Sequence, residues 1–154
     1  MKQCPIIFFL LFFSFLKGFG QKPTQTTFDS VWALNIPLTN RLLIVDSMAT
    51  SMDAYFTDLP KKQLEKALDI AQQAEIKAVI PFLEFSIGKV FISLDIIDSA
   101  KVYLKLAEAK LDKTSQIAKL TETYLELSWV YLLIPRYDLS LDYGLKALEG
   151  YRQL

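Results

Sequence analysis

Three times along this chain an aromatic residue stands sixteen positions before an alanine: Tyr55 before Ala71, Phe91 before Ala107, and Tyr131 before Ala147. The step from unit to unit is 36 residues and then 40. A period of roughly 20–50 residues marks a repeat array, in which each unit buries its apolar face only against its neighbours. From Asn40 onward the apolar pattern is helical, with no period-2 alternation and no Asn-Gly hairpin signal. Breaks at Asp58-Leu59-Pro60, from Ile76 to Pro81, at Leu94-Asp95, at Lys113-Thr114-Ser115 and at Ile134-Pro135-Arg136 predict six helices of roughly 13 to 20 residues. Pro60 suits a first turn, where its missing N–H has no partner to lose, and Pro135 suits the turn after a helix. Pro81 either opens the third helix or kinks it one turn in.

Nine residues after each aromatic come Leu64, Ala100 and Ser140, and four later come Leu68, Leu104 and Gly144. With the three alanines they form an i, i+4, i+7 stripe on the second helix of each unit. Small side chains in that stripe let the two helices of a unit approach closely. The pattern resembles the tetratricopeptide repeat, most clearly in the middle unit, where Ile87-Gly88 matches the family's Leu-Gly pair, followed by Phe91, Ala100, Leu104 and Ala107. The third unit offers Leu127-Ser128, Tyr131, Ser140, Gly144 and Ala147, and the first only Tyr55, Leu68 and Ala71. The family's early Trp and late Pro are missing from all three. The resemblance covers roughly residues 45 to 154. It implies an all-α fold of three helix-turn-helix hairpins, units 45–80, 81–120 and 121–154, stacked as a short right-handed solenoid. It further implies a concave face that binds peptides or proteins, and no chemistry.

The first twenty residues have a different character. Lys2 is followed by an apolar run from Ile6 to Leu16, then by Gly18 and Gly20 ahead of Gln21, the layout of a secretory signal peptide over residues 1–20. The run is shorter than the roughly 20 residues that span a bilayer, so the membrane is touched only through this segment if it stays uncleaved. Cleavage near Gly20 would leave an exported, periplasmic or extracellular chain. Export combined with such repeats is similar to the exported sensor segments of Bacteroidetes signalling proteins. Residues 21–39 read as a leader, either loosely ordered or carrying one short helix from Asp29 to Leu34 capped by Asp29 or Ser30, with Phe28 and Trp32 docking on the body of residues 40–154.

Composition narrows the chemistry. The chain has no His, and its one cysteine, Cys4, falls in the signal segment. Disulfide frameworks, the usual zinc sites, cysteine nucleophiles and His-based triads are thereby excluded from the mature chain. Beyond the signal the glycines are Gly88, Gly144 and Gly150, too few and too scattered for a phosphate-cradling loop. Removal of Lys2 and Lys17 leaves 15 bases against 17 acids, a net charge of −2 that argues against nucleic acid. The acid pairs Asp95/Asp98 and Glu122/Glu126 suit a helix start and a solvated face. The expectation is a non-enzyme without cofactor.

Two surfaces remain as candidates. The repeat family's groove positions fall on the first helix of each unit: Asp46, Ala49, Asp53 and Phe56, then Phe82, Phe85, Lys89 and Ile92, then Glu122, Leu125, Trp129 and Leu132. Asp53, Phe85, Lys89, Glu122 and Trp129 are the candidate peptide contacts, although aromatics at helical spacing also read as core. The second surface comes from comparing the units with one another. One position past the small-residue stripe, the second helices carry Glu65, Asp69 and Gln72, then Lys101, Lys105 and Glu108, but finally Leu141, Leu145 and Leu148. A terminal repeat normally turns a polar face outward. These leucines instead predict an interface to be covered by more chain, by a second copy as a homodimer, or by the leader folding back. The leading functional expectation is a protein- or peptide-binding scaffold, or the N-terminal part of a larger signalling protein. The alternatives are a small-ligand sensor coupled to an output domain and a self-assembling structural protein.

Overall fold

Helix follows helix through the described chain. The computed structural model describes residues 23–52 and 57–154; the expected signal peptide and Asp53, Tyr55 and Phe56 lie outside them. Among the described residues there are seven helices and no strand: α1 Gln25–Trp32, α2 Leu38–Thr50, α3 Leu59–Gln73, α4 Ile80–Ser93, α5 Ile97–Lys110, α6 Ile117–Leu133 and α7 Tyr137–Gln153. The breaks expected from sequence separate α2 to α7. Pro81 sits in the first turn of α4, so it opens that helix rather than kinking it. Helices α3, α4 and α6 end alike. Glu75 and Asp95 stand at φ of 53° and 59°, and the N–H groups of Ile76, Ile96 and Arg136 reach back to Ala71, Phe91 and Tyr131. This left-handed closure satisfies carbonyls that the helix end leaves free, and it is usually made by glycine.

Each helix packs on the next, most extensively within the pairs α4/α5 and α6/α7, and α4 also touches α2 and α6. Helix α4 is therefore enclosed, with Leu83, Phe85, Ile87, Val90 and Phe91 all buried. Small residues set the close approaches. A Cβ on Gly88 would lie 2.7 Å from Leu104 Cγ, and one on Gly150 would meet the Thr121 side chain. Between α6 and α7, Ser128 and Ser140 each donate a hydroxyl to the other's carbonyl, at 2.8 and 2.9 Å. Glu84, buried on α4, is held by Lys110 from the last turn of α5.

The leader helix differs from expectation in place and cap. It starts at Gln25, four residues before Asp29, because Thr24 and Thr27 form a reciprocal box: each side chain accepts from the other's backbone N–H. Phe28 is fully buried. The Trp32 indole N–H donates to Gln63 Oε1 at 3.1 Å, and the Gln63 amide donates in turn to Gln25 at 3.1 Å. Helix α1 thus closes the α2/α3 end of the molecule and is not the cover for α7.

Candidate binding surfaces

The first surface runs across α2, α4 and α6. Asp46 on α2 lies against Ser86 of α4 and within the field of Lys119 on α6. Burial pushes its carboxyl up from 3.8 to about 6, against the smaller downward pull of the Ser86 hydroxyl and the Lys119 ammonium, and Oδ1 has no hydrogen-bond partner. A carboxylate taken from water without full replacement of its hydrogen bonds favours its neutral form. Lys119 Nζ stands 4.4 Å from the centre of the Phe85 ring and donates to Glu122 at 2.6 Å. Lys89 Nζ stands 5.6 Å from the same ring and pairs with Glu126 at 3.6 Å. Phe85 is only 3% exposed, so its ring is the floor beneath two lysines rather than a free contact. Trp129, one turn beyond Glu126, is 51% exposed. Of the five expected groove residues, the structure brings Phe85, Lys89 and Glu122 together and sets Trp129 beside them on α6; Asp53 lies outside the described residues. Lys119 and Glu126 join this row. Their spacing of i, i+3 and i, i+4 around Glu122 was the available signal, because residues so spaced share a helix face.

The second surface is the outer side of the α6/α7 pair. Leu141, Leu145 and Leu148 are 65%, 57% and 47% exposed. Half-exposed Leu125, Trp129 and Leu132 flank them from α6, and Tyr137 and Tyr151 from α7. Exposed large apolar side chains elsewhere among the described residues include Leu43 and Val102 on other helices and Leu133 at the end of α6. The opposite side of α7 is well covered. Tyr143 stacks on Tyr131 at 5.4 Å, and its hydroxyl accepts from Lys105 at 2.7 Å and donates to Glu108. Burial pulls Lys105 down, but the bonds to Glu108 and Tyr143 outweigh it and hold the amine above an ordinary lysine. The preceding hairpin repeats the arrangement: Tyr103 stacks on Phe91 at 5.6 Å, and Lys61 from α3 lies over the Phe91 ring at 5.5 Å. Position for position, then, Lys105 and Glu108 are where a second helix meets the hairpin that follows. Leu145 and Leu148 occupy the same places forty residues on.

Comparison of the chain with protein-family models, with the curated proteins and with the solved structures finds no match. No helix of the described residues is long and apolar enough to cross a membrane.

Proposed function

We propose that this chain is an exported, tetratricopeptide-like repeat module that binds a protein or peptide along the wall formed by α2, α4 and α6. The observation that supports this reading is the unbroken row from Asp46 through Lys119, Phe85, Lys89 and Glu126 to the exposed ring of Trp129. Such a row offers alternating charge for polarity and one large ring for anchorage, and exposed Trp is among the commonest energetic centres of interfaces. The ion pairs along it are partly wetted, so they contribute little to stability and are free to exchange partners. The right-handed stacking of three hairpins and the role as scaffold, or as the N-terminal part of a larger signalling protein, belong to the same proposal. So do the absence of catalysis and of any cofactor, and export by residues 1–20.

The test is to pan a displayed random-peptide library on chain recovered from an exporting host. Its intact mass should begin at Gln21. Trp129→Ala and Lys89→Glu should each weaken the selected peptides by roughly 10-fold or more. Val102→Ala, on the exposed side of α5, should leave them unchanged. Peptides indifferent to both wall substitutions would refute the groove, and a mass beginning at Met1 would refute the signal.

A further inference from the structure

We infer that the outer face of the α6/α7 pair is a self-association surface through which two copies of this chain meet about a two-fold axis. The face is the coupling face of the stack. On α4 the residues forty positions before Leu125 and Trp129 are Phe85 and Lys89, and both meet α6. On α5 the residues forty positions before Leu145 and Leu148 are Lys105 and Glu108, and both meet α7. Where the inner hairpin holds its neighbour through Phe85, Lys89, Lys105 and Glu108, the α6/α7 pair presents leucine and tryptophan. Among the described residues nothing covers them.

Three observations select a second copy as the occupant. The first is area. Trp129, Leu132, Leu141, Leu145, Leu148 and Tyr151 are each about half exposed. At roughly 100 Å² apiece they supply on the order of 600 Å² per copy before their rims are counted, near the about 800 Å² per partner of a stable interface. The second is charge. The ionic groups of α7 pair along their own helix, Lys146 with Asp142 at 2.7 Å and Arg152 with Glu149 at 3.9 Å. The face therefore carries no one-sided field that would repel its own copy or demand a partner of opposite sign. The third is asymmetry. The α2/α3 end is closed by α1 through Phe28 and the Trp32–Gln63 bond. Head-to-tail stacking is thereby blocked, and tail-to-tail contact gives a closed pair. This surface adjoins the peptide wall and shares Trp129 with it; Leu145 and Leu148, which carry its test, lie on α7 outside the wall.

The test is sedimentation equilibrium of the chain recovered from an exporting host, over a wide concentration range. The expected result is twice the intact protomer mass of the same sample. Leu145→Glu combined with Leu148→Glu should give a monomer of unchanged circular dichroism. Each substitution enters a two-fold interface twice, so the dissociation constant should rise by roughly 100-fold or more. Val102→Glu, equally exposed on α5, should remain dimeric. In a Cys4→Ser background, Leu148→Cys should cross-link to a single dimer with a short bis-maleimide, and Val102→Cys should not. A monomer at every concentration overturns the inference and leaves the face to another protein. So does a dimer that survives the double substitution, and so does an open-ended assembly.

Discussion

Asp46 sits where α2, α4 and α6 converge, and its carboxyl makes the fold sensitive to pH. Its pKa of about 6 in the fold exceeds the 3.8 of an unperturbed aspartate, so the folded chain holds a proton that the unfolded chain gives up. A group raised in this way leaves stability intact below the unfolded value and removes it as pH rises through the folded one. The gap corresponds to a penalty of at most about 3 kcal/mol above pH 6. Asparagine has the same shape and no charge to desolvate. Asp46→Asn should therefore raise the melting temperature at pH 8, with a gain that shrinks toward pH 4. The lost attraction to Lys119 subtracts from the gain, because that ammonium favours the charged form. Melting curves of both proteins from pH 4 to 8 decide the matter. A difference that does not change with pH would show that burial of charge is not what Asp46 contributes.

At the scale of the element, glycine matters where helices touch. Alanine in place of a helical glycine gains about 1 kcal/mol of propensity, but a side chain forced into a packed seam costs about 1–3 kcal/mol. At Gly88 the new methyl would stand 2.7 and 2.9 Å from two carbons of Leu104, which is fully buried and has nowhere to retreat. At Gly144 the nearest atom is the Ser128 hydroxyl at 3.3 Å. Gly88→Ala should lose about 1–2 kcal/mol in denaturant unfolding, while Gly144→Ala stays within about 1 kcal/mol of the parent. Equal effects would mean that the α4/α5 seam is looser than its atoms indicate. The approach at Gly144 was legible in the sequence, because Gly144 belongs to the stripe that recurs on the second helices, whereas Gly88 stood out only through the Ile87-Gly88 pair. The breaks that separate α2 to α7 were legible too, because proline and helical periodicity act locally, although α2 ends at Thr50, well before the expected break at Asp58. The start of α1 was hidden, since Thr24 and Thr27 cap it through a reciprocal pair of side-chain bonds. So was the burial of Phe85. A helical spacing says which way a ring points, but not whether Lys119, thirty-four residues on, will lie across it. The Lys105–Tyr143 bond, spanning two hairpins, was hidden for the same reason.

For the whole molecule, the pattern of packing sets how damage spreads. Helix α4 touches helices of the hairpins on both sides of its own, whereas α1 meets only the α2/α3 end and α7 packs chiefly on α6. Where helices pack mainly on their neighbours, local opening at one end need not reach the other. Phe28 is the natural probe because it is fully buried and its helix contributes to no other seam. Truncation to alanine removes about 3–5 kcal/mol of packing where the surroundings cannot collapse. A terminal helix can undock instead, which places an upper limit on the loss equal to the docking energy of α1. Hydrogen exchange of Phe28→Ala should show faster exchange in α1, α2 and α3, a smaller change in α4, and none in α6 and α7. The bond from Trp32 to Gln63 should open with it, and the Lys66 ammonium, 4.8 Å from the Trp32 ring, should lose that contact. An equal rise in exchange through all seven helices would mean that the hairpins unfold as one cooperative body. The view of α1 as a local cap would then have to be abandoned.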